Sequence, residues 1–337
     1  MVNVLIVAYS LMAAIIGAGF ASGQEMLLYF ACFGRYGIIG IVVTVVFFGI
    51  FIFAVLNICL KRKITEYDKF LDIFSSRIHR TAVKVITLLF SFAVYGAMLS
   101  AAGEILYDIF GIQKALGTLL CTIGAVILFT FADEAVFTMN GILGIALVIV
   151  ITFCVLYMLS YREFHAFSPQ YVKSAGNGLI YSGYNLVSLI PVIVALSKKL
   201  KNRSDSPTVA VCVAIMSAFI MSLIFGLLAI YAGKVNLGEL PMLTLAKRQN
   251  PAFATLYASV LTVAIITTLI SSGGGLCNAL RIQKKPLRIA FMSSLAYLLS
   301  GLGFSNLVNT AYRVCGIAGF IVCIAVVFAC FSKKNIK

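Results

Sequence analysis

Two histidines, His79 and His165, are all that the 337 residues contain, and they lie far apart in the chain. A metal centre or a histidine-based catalytic arrangement therefore has almost no material. The nine cysteines, at positions 32, 59, 121, 154, 212, 277, 315, 323 and 330, are scattered through apolar stretches without the paired spacing of a zinc or redox site. They read as small packing residues. Charged residues are only 11% of the chain, and no aspartate pair or cysteine cluster falls inside an apolar segment. An enzyme working within the bilayer would need such a set, so the chain is read as a non-enzyme. The formal charge of +15 would suggest nucleic acid in a soluble protein. Here the basic residues sit in short loops between apolar segments, as orientation signals do, and nucleic acid is excluded as a partner.

What the chain has in abundance is apolar length. Hydrophobic residues make up 62%, mean hydropathy is +1.07, and the apolar runs repeatedly reach the roughly 20 residues that span a bilayer. This is the pattern of an all-α polytopic membrane protein, with residues 1–337 forming a single transmembrane domain. Ten segments are expected, opening at Val4, Gly37, Val83, Leu116, Gly141, Gly176, Thr208, Ala252, Ile289 and Val314. Lysine and arginine collect at Lys61–Lys84, Lys198–Arg203, Arg281–Arg288 and beyond Ser332, and are sparser in the intervening loops. That asymmetry places both termini in the cytoplasm. No basic n-region precedes the first apolar run, which is expected to remain as helix.

The stretch Ile15–Glu25, IIGAGFASGQE, departs from that plain pattern. Gly17, Gly19 and Gly23 interrupt the first apolar segment, and Gln24 and Glu25 stand where a membrane helix would continue in leucine or valine. Glycine frees the backbone to leave helical geometry, and a break at membrane depth survives only where it is buried in protein or lines a wet cavity. A carboxylate there adds its own cost and marks a functional site. Gly19 and Gly23 also form a GxxxG, with Ala18 and Ser22 as a second small pair, so close helix packing is an alternative use of the same residues.

The sixth segment, SAGNGLIYSGYNLVSLIPVIVAL, repeats the theme with Gly176, Gly178, Gly183, Asn185 and Pro191, and enters from the opposite side. Interrupted helices at corresponding places in two halves point to an inverted-repeat transporter with its site at the midplane. Five segments per half make the second half run upside down, with repeats at about 1–165 and 166–337 and breaks in helices 1 and 6. Packing glycines and a proline kink are the plainer alternative. The loop Lys61–Arg80 suits a short amphipathic helix on the cytoplasmic surface or a solvated loop. Gly238–Phe253, between Pro241 and Pro251, suits a short external helix able to cap a cavity. Asp133 and Glu134 read as solvated turn charges.

At IIGAGF followed by ASGQE the chain resembles the bacterial YkvI-type membrane proteins, compact relatives of the amino-acid/polyamine/organocation superfamily and so of the LeuT fold. The Gly17–Gly19 motif is similar to that superfamily's glycine-rich break, and Ser182–Asn185 stands where its sixth-helix break would be. The resemblance implies a secondary transporter in the bacterial inner membrane, carrying an amino acid or amine by alternating access. It also implies that the amides of Gly17, Ala18, Gly19 and Phe20 hold a solute carboxylate, with Ser182, Gly183, Tyr184 and Asn185 facing them. Tyr95 would close the pocket or serve as core. No organic cofactor is expected. The implied partners are a small-molecule solute, sodium or protons, and the lipid bilayer.

Two coupling devices are open. Thr267, Thr268, Ser271 and Ser272 form two i, i+4 pairs on the eighth segment. The resemblance places a sodium ion between them and the first break, although membrane hydroxyls also bond back to their own helix. Glu25 and Glu104 offer two acids that could exchange a proton. A ligand-sensing receptor on the same fold would keep the pocket and lose transport.

Overall fold

In the computed structural model, residues 2–74, 76–131, 149–158, 171–232 and 236–331 are described. Asp133, Glu134, His165, the start of the fifth segment at Gly141 and the basic residues after Ser332 lie outside them. The first segment is three short helices, α1 (Val2–Ile15), α2 (Ala18–Ala21) and α3 (Gln24–Tyr29). At Gly17 the backbone is extended, with φ −91° and ψ −173°, and its amide turns back to donate to the Ile15 carbonyl. The last carbonyls of α1 are thereby left without helical partners. Gly23 then takes φ 80°, a left-handed conformation that side-chain-bearing residues adopt at a cost, and α3 restarts from it.

After a 3₁₀ turn over Ala31–Tyr36 come α4 (Gly37–Arg62), α5 (Tyr67–Phe70), α6 (Arg77–Phe110), α7 (Lys114–Phe131) and α8 (Ile149–Met158). The second half of the chain holds α9 (Tyr171–Ser197), α10 (Asp205–Tyr231), α11 (Pro241–Gln249), α12 (Pro251–Ala279), α13 (Pro286–Ser300), α14 (Phe304–Asn309) and α15 (Ala311–Phe331). Helix starts follow their local chemistry. Ser76 Oγ accepts from the Ile78 amide at the head of α6, and Asn250 Oδ1 accepts from Phe253 at the head of α12, where Pro251 fills the first helical position.

Among the described residues, seven helical stretches are long and apolar enough to cross a membrane, and α1, α8 and α13 are shorter apolar helices. Val42, Val46 and Ile50 form an exposed apolar stripe at helical spacing along α4, the face a bilayer would cover. Two groups of helices meet at the centre of the fold. Helix α9 lies between α4 and α15, and α4 and α1 pack on α10; α6 packs on α7, α12 and α13.

The expected break in the sixth segment is corrected by this structure: α9 runs without interruption through Ser182–Asn185. The polar residues that suggested unwinding are spent on their own helix. Ser182 Oγ donates to the Gly178 carbonyl at 2.8 Å, Asn185 Nδ2 to Tyr181 at 3.0 Å and Ser188 Oγ to Asn185 at 2.8 Å. The glycines serve close packing instead. A Cβ on Gly178 would meet the Gly40 backbone of α4, and one on Gly183 would meet the Gly316 backbone of α15. Pro191 remains inside the helix. In the loop after α4, the expected apolar set is divided: Phe70, Leu71 and Phe74 are buried under the bundle and Tyr67 is half-buried. The short helix there is part of the core more than a surface float.

Candidate functional site

A cavity of about 280 Å³ opens at the break between α1 and α2. Its walls come from α1 (Ala13, Ala14), the break (Gly17, Gly19), α3 (Glu25), α6 (Phe90, Ser91), α9 (Tyr184, Asn185, Ser188), α12 (Thr267, Thr268, Ser271, Ser272) and α15 (Tyr312). Three widely separated parts of the sequence that were singled out thus converge here. Among them are Gly17, Gly19 and Glu25, Tyr184 and Asn185, and the four hydroxyls of α12.

The break is tied to α12 by one bond. The Ala18 amide donates to Thr268 Oγ1 at 3.0 Å, while Thr268 itself donates to the Ala264 carbonyl at 2.8 Å. Thr268 thereby caps the unwound backbone across 250 residues of sequence. Thr267 Oγ1 donates to Ala264, Ser271 Oγ to Thr267 and Ser272 Oγ to Thr268, each at 2.8–2.9 Å. Each hydroxyl thus donates to its own helix, Thr268 Oγ1 also accepts from Ala18, and all four residues line the cavity. They face Ala13 and Ala14, at the carbonyl-bearing end of α1.

Glu25 is 7% exposed and sits in the first turn of α3. Its carboxylate lies against Gly19, where even a methyl group would overlap it. The phenol groups of Tyr181 and Tyr184 face it from α9, their O–H groups directed at the carboxylate. Around them the rings interlock: Tyr29 lies 5.7 Å from Tyr181 and 5.8 Å from Tyr184, and Tyr184 lies 5.3 Å from Tyr312. Tyr29 itself donates to the Val308 carbonyl at 3.1 Å, and the Arg313 guanidinium stands 5.6 Å from its ring.

Other expected site residues fall elsewhere. Phe20 is fully buried and does not line the cavity, and Ser182 and Gly183 face the packed side of α9. Tyr95 is core: its hydroxyl shares a 2.9 Å hydrogen bond with Ser293 and its ring packs on Phe129. Glu104 lines a second cavity of about 460 Å³ near α14, where it pairs with Lys114 at 2.5 Å, and Glu239 joins them. It is therefore remote from Glu25 in chemistry as well as in place. Sequence reasoning missed Ser91, Ser188, Tyr312 and Phe90 as cavity walls, because isolated serines and rings in apolar segments carry no spacing signal.

One end of the site is sealed. The Met242 amide of α11 donates to Ser22 O at 2.9 Å, Tyr257 Oη to Ala21 O at 2.7 Å, and Gln24 Nε2 to Ser305 Oγ at 2.6 Å. The short helix expected between Pro241 and Pro251 is the α11 that forms this lid. Lys247 of α11 also pairs with Asp108 of α6 at 3.0 Å. The cavity itself lies between α1, the second half of α9 and the middle of α6.

Among known proteins, the uncharacterized membrane protein YkvI of Bacillus subtilis is 25% identical over 339 residues, covering 97% of this chain and 95% of its own. The chain is homologous to YkvI. Bacillus subtilis YyaD is 22% identical over 317 residues. No family model matches. Of solved structures, a manganese transporter of Eremococcus coleocola aligns with TM-score 0.64 at 15% identity, covering 96% of this chain and 78% of that one. A Na⁺-coupled sialic acid symporter, seen substrate-bound and outward-open, aligns with TM-score 0.64 at 13% identity over 98% and 79%. Mhp1 in its inward-facing conformation gives 0.56 at 14% over 95% and 75%. The shared architecture is the LeuT fold, and these structural neighbours are transporters.

Proposed function

We propose that this YkvI homologue is a secondary transporter of a small organic solute, an amino acid or an amine, coupled to sodium or protons by alternating access. The observation that carries the reading is the cavity at the α1–α2 break, where an intramembrane carboxylate and four hydroxyls meet around discontinuous backbone. The transporter neighbours support it at the level of fold. With the amino terminus cytoplasmic, the sealed end under α11 faces outward and the cavity faces inward, so this conformation would be the inward-facing one. A ten-span, five-plus-five topology in the bacterial inner membrane belongs to the same proposal.

The test is uptake by purified protein in liposomes, offered a panel of amino acids and small amines under a sodium gradient and separately under a proton gradient. Accumulation of at least one solute above its external concentration is expected. Binding without flux would replace the carrier with a sensor.

The topology carries its own prediction. Helix α9 spans 27 residues, about 40 Å at 1.5 Å per residue, enough to cross the bilayer. Lys173→Cys and Lys198→Cys, made in a background without native cysteines, are expected to react with an impermeant maleimide from opposite sides, Lys173→Cys from outside. Labelling of both from one side would overturn the arrangement.

A further inference from the structure

The ionisable side chain lining the cavity narrows the solute. Among the described residues that line it, Glu25 is the only aspartate, glutamate, lysine, arginine or histidine. The backbone amides that would hold a solute carboxylate are already engaged. Gly17 donates to Ile15 O, Ala18 donates to Thr268 Oγ1 at 3.0 Å, and Phe20 lies outside the walls. Gly19 remains, and the Glu25 carboxylate lies against it. An anion brought to that amide would either meet the Glu25 carboxylate as a like charge in a medium that screens poorly or force that group to stay protonated, a cost that one amide does not offset. With four residues, α2 also has too little aligned backbone to offer a useful positive end.

The same wall suits a cation. Phe90, Tyr184 and Tyr312 form a mutually packed triad, with centroids 5.0–5.3 Å apart, and all three line the cavity beside Glu25. Ring faces attract ammonium groups, most strongly once water is excluded. The Tyr184 O–H is directed at Glu25, which leaves its oxygen lone pairs able to accept from an ammonium N–H. A divalent metal would need more anionic ligands than one carboxylate, and among the described residues no group of three or more His, Cys, Asp or Glu is assembled. The facing groups are otherwise Tyr29 and Tyr181, with Arg313 held behind the Tyr29 ring and outside the cavity walls.

We infer that the cavity binds a small organic monocation lacking a carboxylate, an alkyl- or arylalkylammonium, with Glu25 as counter-ion and the Phe90–Tyr184–Tyr312 wall against its cationic head. It rejects the zwitterionic amino acid that carries the same side chain. At about 280 Å³ the space falls just under the range of about 300–1,000 Å³ for drug-sized ligands and suits such a solute. This rests on the solute-site reading of the cavity proposed above, and divides its two candidate substrate classes.

Matched pairs differing only by the α-carboxylate test it: isobutylammonium against valine, and phenethylammonium against phenylalanine. Binding is read on the purified full-length protein by thermal shift and calorimetry, and flux in liposomes. Each amine is expected to raise the apparent melting temperature and to bind on the order of a hundredfold more tightly than its amino acid, as an uncompensated buried charge demands. Glu25→Gln should lose the amine response by a similar factor, and Glu25→Asp should keep part of it. If Glu25→Gln does not yield folded protein, the wild-type pairs decide alone. Amino acids binding as tightly as their amines would overturn the inference, as would no binding by any amine, or a stabilisation by sodium alone that Glu25→Gln removes. Amine binding without flux would leave the inference standing and remove the carrier; amino-acid flux without amine binding would do the reverse.

Discussion

Gly183→Ala is expected to cost roughly 3 kcal/mol, the upper end of what overpacking usually costs, and to lower the apparent melting temperature by about 4 °C. A Cβ at this position would overlap the Gly316 carbonyl and crowd the Phe320 amide on α15, and both are backbone. Backbone can yield only by moving the helix. The opposing face is equally committed, since a Cβ on Gly316 would meet the Ile180 carbonyl and one on Gly319 the Gly183 carbonyl. Gly176→Ala supplies the control on the same helix. Nothing lies within 4 Å of the added methyl, so only the helix propensity of alanine acts and stability should stay level or rise by up to about 1 kcal/mol. Melting curves of the two purified variants check the pair. Equal curves would mean that α9 and α15 are not in this contact.

That pair also explains what in α9 could not be read from the sequence. Gly178, Ser182, Gly183 and Asn185 have the composition of an unwound segment and of a tightly packed helix alike. Which use applies depends on whether another backbone lies opposite them. Here Gly40 of α4 and Gly316 of α15 do, and the side chains then have no call to leave their own helix. The first break is legible for a contrasting reason. Two glycines next to one alanine, followed by an acid in apolar surroundings, leave few ways to satisfy the chain except a cavity. The hydroxyl set on α12 is legible as a set through its i, i+4 spacing, whereas its role in capping Ala18 is not, because the bond joins positions 250 apart. Of the amides expected as an anion cradle at Gly17–Phe20, that of Ala18 is bonded to Thr268 by that same bond. Tyr95 and Glu104 were placed by helix depth alone, which says nothing about which neighbour a side chain meets. One meets Ser293 and the other Lys114.

Thr268→Val should have the largest effect of any hydroxyl change on α12, because it acts on structure and on coupling together. Valine keeps the volume and removes the oxygen, so the Ala18 amide loses its acceptor at 3.0 Å and is left buried. An orphaned buried donor costs about 1–3 kcal/mol. The proposed sodium site would lose one oxygen as well, alongside Thr267, Ser271, Ser272 and the terminal carbonyls of α1. If sodium drives uptake, its half-saturating concentration should rise on the order of tenfold or more, in proportion to a lost ligand worth about 1.4 kcal/mol or above. Ser272→Ala should raise that concentration while leaving the melting temperature near wild type, since Ser272 bonds only to its own helix at 2.8 Å. Ser259→Ala, on the exposed face of the same helix, should change neither. Uptake is measured against sodium in liposomes, with melting curves on the same preparations. Stability falling in Thr268→Val with no sodium response in any variant, wild type included, would leave Thr268 as a cap on the break and assign the coupling to protons.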